Sequence, residues 1–372
     1  MATQNLPLTD TREWRASAPG KVILCGEYSV LEGWPALVVA VNRRLQLRLE
    51  RHSSAGLSLC CPGLNDTECA LSWNEQSQLC VDEQSSTAMF VDLLNRMLDH
   101  AKAQSRFREI LSKHADKNGM PGWQFVCDSR SLFDAGEKLG LGSSAAMTVA
   151  ITGLIHEVLA ERPSPFAQKS NEQLWLLTQE LHSQAQGKRG SGVDLAASIT
   201  GGVQRFINRQ DQSCLIQSQP LPEGLNLRFI WTGASASTPR FLRAVSDWKT
   251  QHVNAFKSHM SALGESSSAV CQALCAEDFL LHMSSFVRAL KTFDETLDLG
   301  VFSDVHAHMY RQAKEFGRVL YKPCGAGGGD LGLAISDDLD SLNTFVSKYA
   351  QGPHVRCLDL DVDPQGLISI AG

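Results

Sequence analysis

The segment LGLGSSAAMTVA, residues 139–150, constrains this chain more than any other. Gly140 and Gly142 free the backbone to take φ > 0 and to pass close to a neighbour. Ser143 or Ser144 then opens a run of strong helix formers that continues to Leu159. The free N–H groups and positive dipole end of such a helix suit an anion. On this segment alone, a phosphate site and a plain helix start both stand. GxxxxGK[ST] occurs nowhere in the chain, and the third glycine of GxGxxG is missing. The P-loop and dinucleotide fingerprints are therefore excluded.

Around this segment the patterning alternates irregularly between strand and helix. Residues 22–25, 36–41 and 44–50 read as strands, the last one half-buried, with the first twenty residues as a tail. Residues 88–101 carry helical spacing, 106–121 a helix end and loop, and 122–127 a strand. Residues 143–159 and 171–186 read as helices, and Gly201-Gly202 breaks into the strand VQRFI. Pro220 and Pro222 mark a composition break, which places a domain boundary near 222. Two domains, 1–222 and 223–372, follow. Beyond the boundary come LNLRFIWTG as a strand and helices over 240–263, 271–293 and 302–316. A strand over 331–335, a helix over 340–350 and the alternating strand VRCLDLDV complete the chain. Strands and helices mixed this way indicate an α+β fold.

Composition removes several function classes. Of 372 residues, 34 are Lys or Arg and 40 are Asp or Glu. The net charge of −6 argues against nucleic-acid binding, which favours a basic excess. The longest clean apolar run, 35–41, is far short of the roughly 20 residues a bilayer helix needs. The opening MATQNLPLTDTREW lacks the basic start and apolar stretch of a secretory signal. Eleven scattered cysteines with no CxxC read as free thiols and point to a reducing cytoplasm. His306 and His308 form a lone HxH pair with no partner at metal spacing.

Two further segments are glycine-bearing. APGKVILCGEYSVLEGWPAL, 18–37, places Lys21 at a strand start and Glu27 just past it. KPCGAGGGDLGLAI, 322–335, packs glycines that cannot by themselves stabilise a helix or strand. The three segments, in this order and spanning nearly the whole chain, resemble the three signature motifs of the GHMP small-molecule kinases. The resemblance implies a two-domain fold. Its N-terminal domain would be like ribosomal protein S5 domain 2, its C-terminal domain ferredoxin-like, and its active site in the cleft between them. It also implies ATP and Mg2+ as cofactors.

Within the family, several residues resemble the phosphomevalonate kinase branch. They are Tyr28 in GEYSVLEG, Asp330 in GAGGGD, the stretch QGKRGSGVDLAASITGG and the segment FIWTGASAST. The implied roles follow motif by motif. Lys21 and Asp194 are the implied catalytic residues. Lys138, Gly140, Leu141, Gly142, Ser143, Ser144 and Ala145 would hold the ATP phosphates, with the Ser144 hydroxyl near Mg2+. Glu27, Tyr28, Lys188, Ser191, Gly192 and Ser237 would face the acceptor, as would Gly325, Ala326, Gly327 and Asp330. One departure concerns the metal. Where relatives carry a Glu ahead of SGVD, this chain reads LHSQAQGK, with His182 or Ser183 near that place and Glu180 as a possible substitute.

A phosphomevalonate acceptor is itself a phosphate with a second pKa of about 6, so it needs cations more than a strong base. Lys21, Lys138, Lys188, Arg189, Arg240 and Lys322 all lie inside or beside the motifs. Mevalonate as acceptor is the alternative, and a non-catalytic ligand-binding relative is the reading of a different class. The expected partners are the small-molecule acceptor and ATP, with no nucleic acid or membrane, in a monomer or homodimer.

Overall fold

The computed structural model describes residues 13–81, 87–113, 122–134, 136–160, 169–187, 190–209, 211, 213–236, 238–352 and 354–371. The first half contributes strands β1 (Trp14–Cys25), β2 (Ala36–His52), β3 (Leu57–Cys61), β4 (Asn65–Trp73) and β5 (Leu79–Val81). It continues with β6 (Gly122–Asp128), the short β7 (Phe133–Asp134) and β8 (Glu137–Lys138), then β9 (Val203–Asn208) and β10 (Cys214–Ser218). Its helices are α1 (Ala88–His100), α2 (Gln104–Lys113), α3 (Ser143–Leu159), α4 (Asn171–Gln186) and α5 (Val193–Thr200).

The central strand is β2. Residues 36–41 of it are fully buried, as expected of an apolar strand covered on both faces. At 17 residues it is long enough to pair with β1 along one edge and with β9 and then β6 along the other. From β6 the sheet runs through parallel β3 to β4 and β5. Helix α3 is apolar nearly all round, with 12 of its 17 residues buried, and lies on β1 and β2.

Two strand expectations need correction. Residues 14–20 are not a tail: β1 starts at Trp14 and is paired on both edges, by β2 and by the last strand of the chain, while residues 1–12 of the expected tail lie outside the described residues. Pro19 and Gly20 deprive this stretch of a strand pattern. The ladder accommodates them with a register shift between the two residues, a usual place for proline in a sheet. Sequence patterning also assigns no element to 57–81, where β3, β4 and β5 lie. Residues 114–121 of the expected loop lie outside the described residues.

The second half builds a four-stranded sheet in the order β12-β13-β11-β14. Its strands are β11 (Asn226–Trp231), β12 (Leu320–Pro323), β13 (Leu331–Ser336) and β14 (Arg356–Leu358), all antiparallel. Its helices are α6 (Thr238–Gln251), α7 (Val253–Gln272), α8 (Ala276–Leu297), α9 (Asp304–Phe316) and α10 (Leu339–Tyr349). The helix expected over 240–263 is broken at His252, whose φ of −132° and ψ of 50° leave the helical region. The helix expected from 271 begins at Ala276, because Ala273 turns extended and Cys275 caps the new start. The alternating VRCLDLDV is a strand only over 356–358. Asp361 and Asp363 then exchange backbone hydrogen bonds with Asn42 and Ala40 of β2. The last strand, β15 (Ile368–Ala371), joins β1. The architecture is α+β, with a nine-stranded and a four-stranded sheet. No helix among the described residues is long and apolar enough to cross a membrane. All eleven cysteines are free thiols.

Candidate active site

Between the two sheets lies a cleft of about 500 Å3. The turn 140–144 forms one wall. Gly142 caps α3 in the left-handed region, at φ 79°. A Cβ on it would lie 3.0 Å from Lys21 Cε, because the Lys21 side chain runs across that Cα. A Cβ on Gly140, at φ 74°, would lie 2.5 Å from the Asp330 side chain. Both glycines are thus required by backbone conformation and by a charged neighbour that occupies the missing side chain's space. Lys21 is fixed to the same turn. Its N–H donates to Leu141 O at 2.9 Å, and its ammonium reaches Gly140 O at 3.4 Å.

A second wall is the turn 190–192, which leads into α5. Trp175 Nε1 donates to Gly192 O at 2.8 Å, Gln179 Nε2 to Gly190 O at 2.8 Å and Asn208 Nδ2 to Ser191 O at 3.0 Å. Asp194 follows in the first turn of α5 and lines the cleft. Close by, His182 Nε2, Ser144 Oγ and Gln186 Nε2 form a triangle with sides of 3.3, 3.3 and 2.9 Å. Burial lowers the His182 pKa, with the Asp194 charge opposing. The imidazole is therefore neutral at pH 7. Glu180, the possible metal ligand, does not reach the cleft: it is exposed and accepts from Gln184 Nε2 at 3.2 Å.

The third wall joins the first and third motifs. Tyr28, at φ 64°, holds a conformation that costs a bulky residue energy and clusters at functional sites. Its hydroxyl donates to Ala326 O at 2.6 Å, and its ring packs on Phe293. Burial, with the charges of Asp294 and Glu27, pushes the phenol pKa up and keeps the donor protonated. Glu27 lines the cleft and pairs with Lys322 at 2.5 Å. Neither side chain is more than 1% exposed. Burial alone would lower the Lys322 pKa, but the Glu27 charge and hydrogen bond raise it overall. Asp330, also at positive φ, accepts from Ala236 N–H at 3.2 Å. Burial raises its pKa, opposed by that N–H and by Lys21 and Lys138. Behind it, His306 bridges Tyr321 Oη at 2.9 Å and Gly329 O at 3.0 Å.

Most sequence-derived candidates meet in this cleft: Lys21, Asp194, Lys138, Gly140, Gly142, Ser144, Glu27, Tyr28, Ser191, Gly192, Gly325, Ala326 and Asp330. Leu141 and Ala145 are buried beneath it, which leaves them only a backbone role. Ser143 and Gly327 do not line it; Gly327 sits too tightly against Val301 for a Cβ. Lys188, Arg189 and Ser237 lie outside the described residues. Arg240 is exposed off the wall, and Lys322 is buried in its ion pair.

Sequence reasoning missed Gln186, Thr238, Pro239 and the apolar wall of Ile23, Val30, Leu31 and Leu242. Gln186 stands one helical turn after His182, a spacing that could have revealed it. The apolar wall gives no local signal. Three helices aim their N-terminal residues at the cleft: Gly142 and Ser144 of α3, Val193 and Asp194 of α5, Thr238 and Pro239 of α6. With Lys21 and Lys138 they offer positive charge to an anion, beside the carboxylates of Glu27, Asp194 and Asp330.

The sequence profile of the GHMP kinases N terminal domain matches residues 105–202. A phosphomevalonate kinase from Streptomyces sp. (strain CL190) is 28% identical over 350 residues, covering 86% of this chain and 89% of the relative. A mevalonate kinase from Thermococcus onnurineus is 24% identical over 328 residues, covering 88% and 90%. Among solved structures, Streptococcus pneumoniae phosphomevalonate kinase in complex with phosphomevalonate and AMPPNP superposes with a TM-score of 0.67 at 18% identity. That match covers 94% of this chain and 99% of the other.

Proposed function

The chain belongs to the GHMP kinase superfamily, and on that premise we propose that it transfers the terminal phosphoryl group of ATP to 5-phosphomevalonate. The products are ADP and 5-diphosphomevalonate. The observation behind this reading is the convergence of three helix N-termini with Lys21 and Lys138 on one cleft. Two multiply anionic reactants repel each other. Catalysis between them rests on positioning and on fixed positive charge rather than on a base.

In this reading residues 1–222 bind the nucleotide and 223–372 close the cleft over the acceptor. The turn 140–144 offers backbone N–H groups to the ATP phosphates, and Lys21 stands beside it. The α6 start and the turn 190–192 face the acceptor. Mg2+ takes oxygen ligands and usually rests on substrate phosphates plus one or two side chains. The oxygen donors of Ser144 and Asp194 fit that pattern, and no cluster of three or more metal-binding side chains exists among the described residues. A phosphate-borne Mg2+ held by Ser144 and Asp194 would neutralise phosphoryl charge. Asp194 orients its neighbours and has no proton to remove, since the acceptor oxygen is already largely anionic near pH 7.

The Streptomyces relative, a phosphomevalonate kinase across 86% of this chain, supports the acceptor. Mevalonate is the second reading, favoured by the Asp194 carboxylate in the cleft and by the Thermococcus relative. A hydroxyl acceptor would make Asp194 a general base. The test is ADP release from the purified protein with Mg-ATP and each acceptor in turn. Turnover on phosphomevalonate alone is expected; turnover on mevalonate alone would overturn the assignment.

A further inference from the structure

The geometry points to Trp175, Gln179 and Asn208 as positioning residues that clamp the turn 190–192 and thereby set Asp194; this rests on the phosphoryl-transfer reading above. Three consecutive backbone carbonyls, of Gly190, Ser191 and Gly192, each accept from a different side chain, at 2.8, 3.0 and 2.8 Å. The donors come from outside the turn. Trp175 and Gln179 stand four residues apart on α4, on one helix face, and Asn208 ends β9. Loop carbonyls at a cleft wall ordinarily face water. Here all three are turned onto protein.

The clamp is specific in its chemistry. A carbonyl can only accept, so the Gln179 amide must present Nε2 to Gly190. Its Oε1 is buried without a hydrogen-bond partner among the described residues. Trp175 is fully buried and Gln179 only 3% exposed, so both donors lie inside the protein, away from water. The clamp also explains Gly192. A Cβ there would lie 2.6 Å from Gln179 Oε1 and 2.7 Å from the Trp175 ring, at a φ of 77° that favours glycine. The clamping side chains fill the room that any other residue would need. Asp194 lies two residues beyond, in the first turn of α5, so a rigid turn fixes where its carboxylate meets the cleft.

Gln179→Leu and Asn208→Leu each remove one donor while keeping approximate size. Trp175→Phe is the less secure variant, because a fully buried ring is replaced. In the full chain, amide hydrogen exchange of the peptide covering 190–195 is expected to speed up at least about tenfold in the leucine variants, with exchange in α3 unchanged. The kcat for phosphoryl transfer is expected to fall about 10- to 100-fold while KM for ATP stays within about twofold, because a small misplacement costs rate rather than nucleotide binding. Unchanged exchange in both leucine variants would overturn the clamp. Faster exchange with unchanged kcat would overturn its role in setting Asp194. A parallel rise in KM for ATP and in exchange throughout α3 would also overturn it, by showing general loosening. If the wild-type protein turns over neither acceptor, the kinase reading fails, and the exchange arm alone decides the clamp.

Discussion

Lys21 and Lys322 invite comparison. Both are strand lysines in glycine-bearing motifs, and both are candidate cations by sequence. Lys21 lines the cleft, touches only the Gly140 carbonyl with its ammonium, and forms no ion pair among the described residues. Lys322 is fully buried against Glu27 at 2.5 Å. The first is placed to meet a ligand. The second is a strut that holds the first motif to the third, 295 residues away. A motif cation becomes a reagent or a strut according to its partner, and that partner is a matter of tertiary structure.

Mutating each lysine breaks the comparison in a different way. Removing one partner of a buried ion pair leaves an uncompensated charge and costs about 3–5 kcal/mol. Lys322→Met is therefore expected to lower the free energy of urea unfolding by that amount, and adding Glu27→Gln should recover part of it. A Lys322→Met protein of wild-type stability would remove the strut. Lys21→Met is expected to behave in the opposite manner, with turnover down roughly 100- to 1,000-fold and unfolding nearly unchanged. Its loss of turnover should equal or exceed that of Asp194→Asn. An inactive Asp194→Asn beside a near-normal Lys21→Met would reverse the assignment of roles.

The strut side also carries a pH signature. Burial holds the His306 pKa at about 4, against an ordinary 6.5, with the Lys322 charge adding to the effect and the Gly329 hydrogen bond opposing it. The unfolded chain thus takes up the proton first. Stability from this residue is complete above about pH 6.5 and is lost as pH falls toward 4, by of order 3 kcal/mol. His306→Gln should flatten that part of the stability–pH curve, and an unchanged curve would remove His306 as its source. The smallest effect concerns the bridge between the two regions. Tyr28→Phe leaves the partly buried Ala326 carbonyl without its donor and should cost about 1 kcal/mol by thermal or urea unfolding.

Features written locally were legible in the sequence. Gly140, Gly142 and the apolar run behind them predict the turn and α3, and the three motifs converge on one cleft as their resemblance implies. Strand β1 was hidden from residue 14 to 21 because its alanine, proline and glycine carry no strand pattern, while its pairing comes from the next strand, β2, and from β15 at the far end of the chain. The Trp175–Gln179–Asn208 clamp was hidden for the same reason. A core-like Trp, a helical Gln and a strand-end Asn give no sign that they share one turn. Glu180 misled because its charge suggested a metal ligand, whereas the helix directs it to solvent and brings His182 and Gln186 to Ser144.

Phosphorus NMR of the purified protein with Mg-ATP and an equimolar mixture of mevalonate and 5-phosphomevalonate tests the central claim most directly. The account predicts that the phosphomevalonate monoester signal converts to a pair of coupled diphosphate resonances as ADP appears, with mevalonate untouched. A growing monoester signal drawn from mevalonate, with no diphosphate resonances beyond those of ADP, would contradict it.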